Sequence, residues 1–275
     1  MGTIRNQGFE LTLSGHVIRT RDFEWQLSAN ISHNVTKIVD LPKAKTGENG
    51  GFYEDSKWFQ EGKPLYNYMT LAYAGVNEHG EALYYYDPDL LVDGAMNTSK
   101  PGKIKSKDYV TTTPGNASRY TVGSILPKVF GGFSTYVRIK DFDLTATFDY
   151  QIGGKVYDSQ YAALMTVPSG AGDAGRAIHK DILKSWSPNN TNSDIPAWIY
   201  GQGNSDANTA SDRWLTNASY LNFQSFTVGY TLPKGLIPDI TKLRFYVAGE
   251  NLCFWSARKG FDPRYSFQEN ESAVS

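Results

Sequence analysis

Four histidines, His16, His33, His79 and His179, are the first residues to ask for metal or general-base chemistry. Their scatter argues against it: no two stand at a spacing that places both rings on one helix face or strand edge, so no metal site is expected. Asp87, Asp89 and Asp93 before Gly94 share the composition of a calcium loop but lack its spacing and its terminal Glu, and read as an acidic solvated loop. Asp143 and Asp149 fall on one side of a strand. Strand rise puts them about 20 Å apart, too far for a glycosidase pair, so they read as lining a hydrated interior. Gly-x-Ser-x-Gly is absent, which removes the usual strand-to-helix nucleophile. Cys253 is the only cysteine, so an internal disulfide and a Cys-based metal site are excluded, and it reads as a small buried hydrophobe. No cofactor is implied, and the chain is not expected to be an enzyme. What remains is binding chemistry. Trp186, Trp198, Tyr200 and Trp214 share the longest loop with Asn189, Asn190, Asn192 and Asn204, and aromatic faces beside amides suit the apolar C–H patches and hydroxyls of sugar rings. Packing of a long loop upon itself is the competing reading for each of them.

The elements that must carry such loops are legible in the alternation of the chain. From Asp22 to Asn34, polar Asp22, Glu24, Gln26, Ser28, Asn30, Ser32 and Asn34 alternate with Phe23, Trp25, Leu27, Ala29, Ile31 and His33. Period two is a strand signal, with one greasy face and one wet face. Phe142 to Ile152 repeats it, and both runs exceed the roughly 5–6 residues of a globular strand while matching the roughly 9–11 needed to cross a bilayer. Their wet faces carry Ser, Thr, Asn, Gln and a few acids but no Lys, unlike the solvent face of a soluble sheet. That face reads as a water-filled lumen, with an extracellular β-sandwich of long strands as the alternative.

Composition bounds the rest. With 27 basic and 28 acidic residues the net charge is −1, which gives no footprint for nucleic acid. Lys100, Lys103 and Lys105 read as a solvated loop. Aromatics at 14% and 26 Gly suit a barrel with aromatic girdles and tight turns, and also a sugar-binding sandwich. No apolar run approaches a transmembrane helix, a test that barrels evade because only alternate residues meet lipid. The amino terminus shows no secretory signal and no myristoylation site.

Eight strand candidates can be placed: Gly8 to Ile18, Phe23 to Val35, Leu65 to Gly75, Ala82 to Tyr86, Gly132 to Ile139, Phe142 to Ile152, Tyr220 to Thr231 and Leu243 to Cys253. Short and long connections alternate between them, as in a membrane meander with tight turns on one side and large loops outside. The apolar phase switches between Gln224 and Phe226, which predicts a bulge. Ala177, Ile178, Ile182 and Leu183 fit one short helix stopped by Pro188. The expected fold is all-β, an antiparallel up-and-down transmembrane β-barrel segment of about eight strands, which could close alone or, as the resemblance that follows implies, form part of a larger barrel, with residues 1–275 as a single unit.

Ala218-Ser219-Tyr220-Leu221, Thr227-Val228-Gly229-Tyr230-Thr231-Leu232-Pro233, Leu243-Arg244-Phe245-Tyr246-Val247-Ala248-Gly249-Glu250-Asn251-Leu252 and Lys259-Gly260-Phe261-Asp262-Pro263-Arg264 carry a further signal. With Asn6 to Glu10, Glu61 to Leu65, Gly123 to Pro127 and Gly153 to Tyr157 upstream, they resemble the carboxy-terminal barrel of SusC/RagA-type TonB-linked outer-membrane proteins. The resemblance implies location in the cell outer membrane, contact with its lipid, and uptake of oligosaccharides or peptides. It implies a SusD-like surface lipoprotein on the outside loops and a TonB complex acting through a plug region. Plug, amino-terminal extension and final strand are then expected to lie outside this chain. A self-contained adhesin barrel and a soluble carbohydrate-binding module stand as the alternatives.

Overall fold

The computed structural model describes residues 2–46, 50–167, 175–199, 207–238 and 240–264. Two long strands lead, β1 (Thr3–Arg19) and β2 (Phe23–Asp40), joined by a turn in which the Thr20 hydroxyl accepts from the Phe23 amide at 3.0 Å. After the single-turn helix α1 (Lys43–Thr46) the chain becomes finely divided. Its short strands are β3 (Gly51–Glu54), β4 (Lys57–Gln60), β5 (Asn67–Leu71), β6 (Tyr73–Val76), β7 (Ala82–Tyr85), β8 (Leu91–Val92), β9 (Ala95–Met96), β10 (Val110–Thr111) and β11 (Arg119–Ser124). Long strands resume with β12 (Val129–Ile139) and β13 (Phe142–Ile152), turned by Lys140 and Asp141. A second divided stretch holds β14 (Lys155–Tyr157), the short helix α2 (Ser159–Leu164) and β15 (Leu215–Asn217), before the last long pair, β16 (Tyr220–Thr231) and β17 (Arg244–Ser256).

The six long strands form one antiparallel sheet in the order β1-β2-β12-β13-β16-β17. Register keeps the two faces separate across all six. One row runs Leu13, Ala29, Phe133, Phe148, Phe223, Cys253, and another Trp25, Val137, Leu144, Val228, Val247. The opposite face carries Ser14, Ser28, Ser134, Thr147, Ser225 and Glu250 in a single row. A one-residue slip would put every one of these on the wrong side, so the pattern itself specifies the pairing. Where strand lengths disagree, bulges restore the phase: the register shifts at Gln224, as the sequence predicts, and opposite it β17 makes a wider bulge at Asn251, whose φ of 52° only small polar residues and glycine adopt readily. Gly131 is forced by crowding, because a Cβ there would run into the backbone oxygen of Asn30. The Tyr150 ring crosses the space and donates its hydroxyl to that oxygen at 3.2 Å.

The apolar face is uncovered. Leu13 is 64% exposed, Phe133 41% and Val247 68%, and no second sheet packs on them among the described residues, which is what the soluble-sandwich alternative requires. Cys253, expected to be buried, is exposed in the same apolar row because that face has no protein partner. From Phe142 to Ile152, rise and barrel tilt make the greasy band about 26 Å tall.

Buried cores lie elsewhere, in the two stretches that link β2 to β12 and β13 to β16. These stack short sheets in the orders β11-β5-β4-β3 and β10-β7-β6, with β14 paired to β15. The candidates Leu65 to Gly75 and Ala82 to Tyr86 therefore belong to this cap and not to the wall, which has six strands here and still alternates short and long connections. The expected helix over 173–186 is, within the described residues, only the 3-10 turn Lys180–Lys184, which buries Ile182.

Candidate functional site

The cap is built by two long connections that interlock. Leu71 bridges to Ser211, the Tyr73 amide donates to Asp212 Oδ1 at 2.8 Å, the Tyr73 hydroxyl to the Asp194 carbonyl at 2.7 Å, and the Ala197 amide to the Gly80 carbonyl at 2.8 Å. Burial pushes the Tyr68 and Tyr120 phenols up to about 12 and raises that of Tyr73 as well, so all three stay neutral donors. Lys105 is exposed in a loop, as expected, and still lies 5.0 Å from the Tyr85 ring centroid and 3.7 Å from Asp212 Oδ2.

Asp87 departs further from the solvated acidic loop expected of it. It is 2% exposed, and its carboxylate accepts from the amides of Asp89 at 3.1 Å, Lys103 at 2.6 Å and Ile104 at 3.1 Å. Burial alone would raise its pKa, but those three N–H bonds outweigh it and hold the carboxyl below its ordinary value. It is a structural anchor for two strands of loop. Asp158 plays the same part at the other end of the cap: buried, it caps α2 through the Tyr161 amide at 2.9 Å and pairs with Arg258 at 3.0 Å.

The aromatic residues singled out as sugar contacts fall in three settings. Trp214 is completely buried with Met165 and Ile182, its indole donates to the Thr209 carbonyl at 3.0 Å, and the Arg213 guanidinium covers one face at 4.5 Å. Trp198 packs half-buried on that cluster. Trp186 is half-buried against Gly80, where φ of 83° leaves room that a Cβ would take from the ring. The indole nitrogens of Trp186 and Trp198 are shielded and have no hydrogen-bond partner among the described residues. Tyr200 lies outside the described residues. The ring of Trp214 thus meets protein on every side, and the two others are only partly covered.

A site that sequence reading passed over lies on the hydrophilic face of the wall. Gly132 leaves a gap in the row Asn30, Gly132, Asp149, Asn222, and the neighbouring side chains enclose a groove of about 690 Å³. Ser28, Ser134 and Thr147 stand on one side of it, and Phe130 and Tyr220 flank Gln151 on the other. Buried Asn222 donates to Asp149 Oδ1 at 2.7 Å, and Asn30 Oδ1 accepts from the Gly132 amide at 3.1 Å. The only hint in the sequence is the lysine-free wet face of Asp22 to Asn34 and of Phe142 to Ile152.

Nearer the short turns the same face becomes ionic. Glu24 meets Arg138 at 3.3 Å and His16 at 3.2 Å, and Arg244 reaches across Gly229 to Asp143. A Cβ at Gly229 would occupy the guanidinium's path, which gives the Gly229 and Arg244 positions of the motif a shared physical cause. Asp143 and Asp149 both line the hydrophilic face, as expected. Among the described residues no cluster of His, Cys, Asp and Glu could hold a metal ion.

No family model matches the chain. It is similar to the TonB-dependent receptor P3 of Formosa agariphila, 24% identical over all of this chain and 26% of that protein. It is also similar to the TonB-dependent receptor SusC of Bacteroides thetaiotaomicron, 22% identical over 96% of this chain and 24% of that one. Among solved structures, the RagAB peptide transporter superposes with a TM-score of 0.71 at 24% identity, and the RagAB peptide importer in its closed-closed state with 0.72 at 26%. Each covers 95% of this chain, which spans about a quarter of the length of these relatives. A bare apolar face, a hydrophilic face in register behind it and this match along nearly the whole chain make the protein similar, in sequence and in fold, to the SusC/RagA-like TonB-dependent receptors.

Proposed function

We propose that the chain supplies barrel wall and outer loops to a TonB-dependent receptor that takes up oligosaccharides or peptides across the cell outer membrane. One observation carries the reading: six strands keep a predominantly apolar face of about 26 Å uncovered while their other face is mostly hydroxyl, amide and ion pair. Only hydrocarbon outside and water inside satisfy both faces together. The interlocked cap, at the end opposite the short turns, is the surface for a SusD-like lipoprotein. Force from the TonB complex reaches cargo through a plug that this wall surrounds.

Fractionation tests this directly. The protein is expected in the outer membrane, extractable only with detergent, and faster on a gel before heating than after. Recovery as a stable monomer in detergent-free buffer would overturn the assignment.

A further inference from the structure

The groove over Gly132 has a chemistry distinct from the rest of the hydrophilic face. Its lining is amide, hydroxyl and aromatic, with one carboxylate: Asp149 bonds to the Asn222 amide, and no ion pair with a Lys or Arg reaches it among the described residues. The other carboxylates facing the lumen on these central strands, Glu24 and Asp143, are each neutralised by an arginine toward the short turns. The hydroxyls of Ser28, Ser134 and Thr147 make no hydrogen bond within the described residues. Phe130 and Tyr220 stand two strands apart, about 10 Å, on either side of Gln151. Strands β12 and β13 are paired on both edges, so no backbone edge is offered to an extended peptide.

From this we propose, resting on the transporter reading above, that the groove is a cargo subsite for an uncharged polyhydroxylated ring and that Asp149 is its specificity-determining residue. Ring C–H faces lie against Phe130 or Tyr220 while hydroxyls donate to the Asp149 carboxylate and exchange hydrogen bonds with Ser134 and Thr147. The same carboxylate, which makes no ion pair among the described residues, repels carboxylated or sulfated rings. The volume is within the roughly 300–1,000 Å³ of small-ligand sites.

The test uses the detergent-solubilised outer-membrane protein that carries this chain, with maltoheptaose and laminarihexaose as neutral probes, oligogalacturonate as the anionic one and an uncharged heptapeptide as the control. Neutral saccharide should bind to the parent protein, weaken at least tenfold in Asp149→Ala, and weaken likewise in Ser134→Trp, which fills the groove. Asp149→Asn should narrow the gap between neutral and anionic probes at least threefold. Binding of the peptide alone, binding of no neutral saccharide, or affinities unmoved by Asp149→Ala and Ser134→Trp would overturn the proposal. Gel mobility before heating reports barrel assembly in each variant, so a failed subsite is distinguishable from a failed membrane assignment.

Discussion

Phe133 in the wall and Trp214 in the cap are both large aromatic residues at the middle of their elements, yet one is 41% exposed and the other is sealed. Around Phe133 the neighbours are ring-stacked Phe148 and Phe223 on adjacent strands, with nothing above them. Around Trp214 are Tyr161 and Met165 from one helical turn, Ile182 from a separate segment and the neighbouring Arg213. The wall is stabilised by register and by whatever solvent touches its greasy face. The cap is stabilised as a water-soluble domain is, by burying its own side chains and bonding most of the polar groups it hides. What covers the apolar face therefore matters to the first and is nearly irrelevant to the second.

The largest expected separation of the two comes from Trp214→Ala. Emptying that site should cost about 3–5 kcal/mol of cap stability, seen as faster hydrogen exchange and proteolysis between residues 155 and 217, with wall mobility on gels unchanged. Loss of barrel assembly in this variant would mean that cap and wall fold as one unit.

Phe148→Arg attacks the other region. A cation near the midplane of the lipid face should cost about 2–4 kcal/mol in denaturant titrations in lipid, while Thr145→Arg, on the hydrophilic face of the same strand, should cost little. Equal costs would sink the assignment of faces.

Asp87→Ala leaves three amides without their acceptor and should loosen the cap by about 1–3 kcal/mol. Because the carboxyl is held below its ordinary value in the folded chain, its contribution is complete above that value of 3.8 and is lost as pH falls through the lower folded one. Cap proteolysis should rise there in the parent protein and stay flat in Asp87→Ala. The smallest effect is expected at Thr135, which accepts the indole N–H of Trp25 at 3.1 Å on the apolar face. Thr135→Val should cost about 1 kcal/mol, measured by the same denaturant titration.

Much of the wall was legible because its physics is local. Phe142–Ile152 and Tyr220–Thr231 are strands with the bounds their alternation predicts, and the phase break at Gln224 announces its bulge. The cap was not legible in that way. Leu65 to Gly75 alternates well enough to pass for a wall strand, but Leu71 pairs into one small sheet and Tyr73 into another, a choice made by partners far along the chain. The same holds for Asp87, whose three amide donors come from both sides of the excursion over residues 90–102. Of the candidate contacts, Trp214 is conspicuous as a residue type, but whether its ring faces a ligand or a core depends on Met165 and Ile182, which no spacing connects to it.

Sequence alone determined that this chain makes long two-faced strands with one apolar face and one hydrophilic face, because side-chain direction in a strand alternates whatever the strand pairs with. Tertiary structure decided how many of the strands join the wall, which acids are solvated and which are buried anchors, and where a gap over Gly132 opens beside Asp149. Those outcomes depend on which segments meet, and the free energy of meeting belongs to pairs of residues that a linear pattern does not record.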